Sequence, residues 1–397
     1  MLYFVEGAPI GYVWWALPTR LRAAEIPIAE ITALSALLTI PWSAKFLWAP
    51  LVDAMRPRRA GLRGWIAGAQ LVMGASLLPI VGLELDAGSL GTLSTFLLVH
   101  AFAAATQDVA IDALAIRHTP TDELGAISGW MQVGMLTGRA AFGGMALMIE
   151  QRIGASSVVL GLVALCFTGS ILVWIVPEDV EPVAGRIAER LGRFAKLLGT
   201  ALASRSTWLG LLLASLAGAG MESLGVVAGP MLIDLGLPSG SVGGFFAGPA
   251  VVGMAVGALL GGRLADARAR DGRERIVAGC IVALALGIVA TAFVLPLPGA
   301  TRIAIPILAV DYVLFGLFTA SIYSLFMQIT DPRLGATQFS TFMGGINLCS
   351  VWSAWAVGRL AASWGYPSAL TTLALASTAA LPLLYAIRAS RSQSTDP

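Results

Sequence analysis

The chain has 397 residues, 57% of them hydrophobic and 12% charged, with 25 Lys and Arg against 23 Asp and Glu. So apolar a composition excludes an ordinary water-soluble domain, and a net charge of only +2 argues against a nucleic-acid binder. Cys166, Cys280 and Cys349 are odd in number and lie within apolar runs, which excludes a disulfide framework or a cysteine metal site.

In chain order the apolar runs occupy 2–17, 31–52, 64–81, 90–115, 125–149, 155–176, 209–233, 242–264, 276–295, 303–327, 337–360 and 370–387. Most approach the ~20 residues that a helix rising ~1.5 Å per residue needs to cross ~30 Å of hydrocarbon. Lipid offers no partner to an open strand edge, so the spans must be helices. The expected fold class is therefore an all-α polytopic membrane protein with 12 transmembrane helices. The chain opens almost inside its first span, with no cationic leader or small-residue cleavage site, and a removable signal peptide is not expected.

Eighteen of the 25 cations fall in every second gap between spans, from Arg56, Arg58, Arg59 and Arg63 after the second span to Arg388 and Arg391 after the last. The intervening gaps hold only Arg20, Arg22, Arg152 and Arg302. By the positive-inside rule the cation-rich gaps, and with them both termini, are expected in the cytoplasm, and the protein in a bacterial inner membrane.

The punctuation of spans one to six recurs in spans seven to twelve. Pro18 and Pro27 correspond to Pro230 and Pro238, Leu51-Val52-Asp53 to Leu264-Ala265-Asp266, and Leu124-Gly125-Ala126 to Leu334-Gly335-Ala336, at offsets of about 212, 213 and 210 residues. Two six-helix pseudo-repeats follow, at 1–176 and 208–388, with a tail at 389–397 and a linker at 177–207. In the linker Ile187, Leu191, Phe194 and Leu198 share one helical face and Arg186, Glu189, Arg190, Arg193 and Lys196 the other, as expected of a basic amphipathic helix on the inner leaflet or of a solvated linker.

Two parallel six-helix repeats resemble the major facilitator architecture, whose central cavity opens alternately to each side of the membrane. Gly262-Arg263-Leu264-Ala265-Asp266, followed by Gly272-Arg273, resembles that superfamily's loop between the second and third helix of a half. Asp53 and Asp266 with Arg263 and Arg273 are thus candidate inner-side gating or structural charges, which break their ion pairs on switching. Three further stretches, 3–11 (YFVEGAPIG), 41–53 (PWSAKFLWAPLVD) and 105–113 (ATQDVAIDA), with Gly335-Ala336-Thr337-Gln338-Phe339, resemble the AmpG-type permeases and their acetyl-CoA transporter relatives. That resemblance implies proton-driven import of anhydro-muropeptides. A similar branch of the RhtX/FptX type implies siderophore uptake instead. Two departures stand out: AmpG proper carries helices beyond twelve, and its usual Arg next to an aromatic in span five is replaced here by Trp130-Met131-Gln132, with Arg139 two turns further along the same face.

A charge near mid-bilayer costs at least ~2.5–3.5 kcal/mol on insertion scales, so each should face a partner or a wet cavity. The candidates are Glu6, Lys45, Asp108, Asp112, Arg139, Glu222 and Asp311. Five of the seven lie in spans one, four, seven and ten, which line the cavity in the superfamily. Asp108 and Asp112 are one turn apart on one face and cannot both ionise easily in a low dielectric, which suits proton coupling, with Asp108 the first choice and Asp112 the better structural candidate. The alternative makes either acid a fixed partner of Lys45, itself also readable as a snorkelling anchor. Glu6, Gln107, Gln132, Arg139 and Glu222 are candidate substrate ligands, Asp311 a ligand, gate or second proton site, and Trp14 a stacking platform beside Trp15, Trp352 and Trp355.

A membrane enzyme would also need buried acids, but His100 and His118 have no zinc-type spacing, and there is no nucleophile elbow or phosphate-cradling loop. The glycine runs around Gly243-Gly244 and Gly253 to Gly262 have the small-residue spacing of close helix contacts. A transport-dead sensor on the same fold is the remaining alternative. The expectation is a monomeric importer without cofactor or metal, whose partners are a small amphiphilic substrate, protons and the bilayer.

Overall fold

The computed structural model describes residues 1–54, 60–118, 124–176, 178, 187–267, 272–330 and 335–394. Among them all regular structure is helical, and twelve spans with one linker helix are present. The spans occupy 2–23, 28–54, 61–80, Leu90–His118, 124–153, Ala155–Ile175, Arg205–Asp234, 239–267, Arg273–Val294 and Ala300–Ile329. Spans eleven and twelve run through one long helix, Gly335–Thr378, broken at Gly365, and twelve continues through Leu381–Ser394. At φ 75° and ψ 166° Gly365 adopts a conformation that a side chain would strain, which is why the break falls there. The linker helix is Ile187–Ala203. Seven apolar stretches among the described residues can cross a bilayer by length and composition, the last holding both spans eleven and twelve.

Several spans are not uniform α-helix, and prolines explain part of this. Span two tightens to a 3-10 turn at Lys45–Leu47, just where Pro50 has no N–H to return to the Phe46 carbonyl. Span one widens to a π turn at Tyr12–Ala16 ahead of Pro18, and span eight at Phe246–Ala250 around Pro249. Span five has a third π turn, Ala140–Met145, which begins immediately after Arg139. Such turns rotate the helix face that follows them and recur at functional sites.

The chain forms two compact units: one of Met1–Ile26, Ile40–Ala195 and Pro238–Ala247, the other of Pro27–Thr39, Lys196–Leu237 and Gly248–Pro397. In the first, span one packs on five and span three on four and six. In the second, span eight packs on ten, seven on eleven, and nine on ten. Glycine sets the closest of these contacts. A side chain at Gly11 would meet the Arg139 backbone at 2.5–2.9 Å, and one at Gly138 the backbone of Phe4, Gly7 and Ala8. Gly253, Gly257 and Gly261, each one turn apart, give span ten the same access at Val313 and Leu317, as the small-residue spacing predicts.

Candidate functional site

The polar interior of the first unit is built where spans one, two and four meet. Span one brings Tyr3 and Glu6, one turn apart on one face; the tight turn of span two brings Lys45; span four brings Asp108 and Asp112, again one turn apart. The Lys45 ammonium is ion-paired with Asp108 Oδ2, with the two side chains 23% and 12% exposed. The Tyr3 hydroxyl donates to Asp112 Oδ1. Glu6, only 2% exposed, lies within electrostatic reach of Asp108, and its Oε2 has no hydrogen-bond partner among the described residues. All three acids act electrostatically on Lys45.

Three carboxyl groups thus surround one ammonium. Fully ionised they would leave two uncompensated negative charges in a low-dielectric interior, where each unpaired charge costs several kcal/mol. Such an arrangement disfavours full ionisation of all three carboxyl groups. Lys45 lies on Asp108, as in the ion-pair reading of the sequence.

The other candidate residues are distributed more widely. Gln107 is fully enclosed beside Asp108, with neither amide atom hydrogen-bonded among the described residues. Gln132 is exposed and Trp130 is 72% exposed. Arg139 is half-buried at the start of the π turn in span five, with its backbone against Gly11. Trp14 meets Trp42 edge-on at 5.4 Å, and Trp15 stacks on Phe246 at 5.1 Å. In the second unit Glu222 accepts a hydrogen bond from Ser350, and Trp352 Nε1 donates to the Ser215 carbonyl at 2.8 Å. Asp311 is fully enclosed between spans nine and ten, where Thr291 donates to its Oδ2 at 2.8 Å and its Oδ1 overlies Gly287. Such a position holds two helices together and offers no open face to a ligand.

Of the charges that the sequence assigns to the inner side, Arg263 is exposed, and Arg273 donates to the carbonyls of Ala265 and Ser324, both at 3.2 Å. The side chains of Asp53 and Asp266 lie outside the described residues. A pair that the sequence does not announce is Arg63–Glu178. Glu178 accepts from the Leu62 and Arg63 amides at 2.8 and 3.0 Å, capping span three, and its Oε2 lies 3.3 Å from Arg63 Nε. Tyr3 and Ser350 were missed too. Tyr3 was detectable as the residue three before Glu6, whereas Ser350 is brought to Glu222 only by the contact of spans seven and eleven.

The family model for the Major Facilitator Superfamily matches residues 1–358. The chain belongs to the major facilitator superfamily. As a member it is a multi-pass membrane protein with the fold of a transporter rather than that of an enzyme. Among solved structures of the superfamily it is similar to a point mutant of the nucleoside transporter NupG, at a TM-score of 0.76 and 14% identity over 97% of this chain and 98% of that one. It is also similar to a D-xylose–proton symporter, at 0.73 and 14% over 97% and 96%. At that identity the likeness carries the fold alone. Among curated relatives, the anhydromuropeptide permease of Escherichia coli K12 is 26% identical over 269 residues, 66% of this chain and 54% of that protein. An uncharacterised protein of Haemophilus influenzae is 34% identical over 123 residues, 31% of this chain and 28% of its own. The matched stretches thus span about half or less of these relatives.

Proposed function

We propose that this chain is a proton-coupled importer of an anhydro-muropeptide-like amphiphile in a bacterial inner membrane, working as a monomer by alternating access. The observation that carries the coupling is the Lys45–Asp108 ion pair with the buried Glu6 close by, because one fixed countercharge among several carboxyl groups leaves one of them to take up and release a proton. Release of the proton leaves Asp108 to Lys45, and uptake returns it to the carboxyl groups of Glu6 and Asp108. Asp112, held by Tyr3, tunes that exchange. Glu222, on Ser350, and Arg139 supply polar groups for the substrate's amide, hydroxyl or carboxylate groups. The substrate class is supported by the stretches around Glu6, Lys45 and Asp108 and by the likeness to the muropeptide permease. The two six-helix halves at 1–176 and 208–388, joined by a membrane-surface linker and with both termini inside, are the moving parts in this reading.

The test is uptake into proteoliposomes with an imposed inward proton gradient, comparing labelled GlcNAc-anhydroMurNAc peptide with a panel of ferric siderophores. Gradient-dependent accumulation of the muropeptide, lost in Asp108→Asn while counterflow persists, is the expected result. Accumulation of a siderophore alone moves the protein to iron uptake, and unchanged uphill uptake by Asp108→Asn removes that residue as the coupling site.

A further inference from the structure

Spans three and four run antiparallel, and their contacts fix the register. Ile66 shares a core cluster with Ala110 and Ile111, Met73 shares one with Ala103 and Ala104, and His100 reaches Met73 and Ser76. Midway between these levels, on the same helix faces, stand Gln70 and Gln107. Both are fully enclosed, and none of their four amide atoms has a hydrogen-bond partner among the described residues. An unsatisfied amide in an apolar interior costs roughly 2–7 kcal/mol, so two of them facing one level of an interface require a ligand.

Room for one is built in. On span six, a side chain at Gly169 would meet Gln70 Oε1 at 2.9 Å and Val5 of span one at 3.1 Å, so only glycine leaves the amide its place. Val5 is followed directly by Glu6, whose Oε2 is likewise unpartnered, and Gln107 directly precedes Asp108. Along the same interface in the other direction the next titratable groups are Cys166 of span six, packed with Met73, Ala103 and Ala104, and His100. Its Nδ1 donates to the Met73 carbonyl at 3.2 Å, and its Nε2 is unpartnered among the described residues. The groups facing this stretch are thus Glu6, Lys45, Asp108, Asp112 and Tyr3 at one end and His100 and Cys166 at the other.

We propose that Gln70 and Gln107 hold internal water at the junction of spans one, three, four and six, and that this water carries the proton to and from the Glu6–Asp108 pair. An amide is suited to this task because it donates and accepts without ionising, so it orders water without trapping the proton. Each hop forms one O–H bond as the next breaks, and the proton that enters the file equals the one that leaves it, with no co-reactant. The enclosed Gln107 is then a ligand of water and not of substrate. The inference rests on the proton-coupled reading above.

The experiment is infrared spectroscopy of the full-length protein in detergent, transferred into D2O, with no transport substrate present. The carboxylic-acid C=O band is assigned by its loss in Glu6→Gln and in Asp108→Asn, and its shift on deuteration is timed. In Gln70→Leu/Gln107→Leu the band is expected to persist and to exchange about tenfold more slowly or slower still, with Gln107→Asn retaining near-parental exchange. Should the double variant not fold, Gln107→Met alone is read in the same way. Unchanged exchange with the band present overturns the water file but leaves proton coupling standing; absence of the band in the parent protein overturns both.

Discussion

In the first unit, spans three and four enclose Gln70, Gln107 and His100 on Ser76; in the second, spans nine and ten enclose Asp311 on Thr291, with Cys280 beside Ser321. His100 and Asp311 stand 211 residues apart, which is the repeat spacing of the sequence. The two interfaces are therefore equivalent places in the repeat that bury different chemistry. Beside the first lies a cluster with its own cation, Lys45, among three acids. In the second unit, Glu222 and Asp311 take hydrogen bonds from hydroxyl groups, those of Ser350 and Thr291. A duplicated scaffold thus keeps helix packing in both halves while placing an ion-paired acid cluster in one. In the proposed function the first unit handles the proton and the second grips neutral or polar parts of a substrate.

The strongest way to break this comparison is to break the ion pair. Asp108→Ala or Lys45→Ala each removes one member of a buried ion pair and should cost about 3–5 kcal/mol, read as a large drop in thermal stability in detergent. Lys45→Met/Asp108→Asn should recover much of that loss, and strict additivity of the single losses would show that the pair is not coupled. Next comes packing. Gly257→Ala places a methyl against the Val313 carbonyl and 2.8 Å from Leu317 N, and should cost about 1–3 kcal/mol in unfolding stability. Gly262→Ala, with nothing within 4 Å, should instead be neutral or stabilising by up to about 1 kcal/mol.

Smaller effects sharpen the division of labour. Glu222→Gln keeps an acceptor for Ser350, so it should weaken substrate affinity by about tenfold, or about 1.4 kcal/mol, and leave the dependence on the proton gradient intact. A lost gradient dependence would put a coupling group in the second unit. Asp311→Asn retains the acceptor for Thr291 and should change stability by less than about 1 kcal/mol, with uptake and its proton dependence unaltered. Failure of uphill uptake in that variant would make Asp311 a second proton site.

Much of this was legible in the sequence for a definite reason. In lipid, backbone groups must be satisfied within each segment, so run length and charge placement dictate helices almost one at a time. The twelve spans, the break between eleven and twelve near Gly365, and the glycine stripe on span eight follow from local sequence. The acids Glu6, Asp108 and Asp112 stood out because charge inside an apolar run is costly wherever the run goes. Partnership was not legible in the same way. That Lys45 meets Asp108 depends on the 3-10 turn ahead of Pro50 and on how span two lies against span four. That Gln107 faces an interior interface, and Asp311 a threonine and a glycine, depends on helix rotation.

The sequence by itself determined the number of helices, the repeat and which residues carry charge into the membrane, because each of these is decided residue by residue against lipid. Only the tertiary structure decided which charges meet, which amides are enclosed and where a proton can rest, because those depend on contacts between helices far apart in the chain, set by glycine-limited distances and by the turn at which each helix bends.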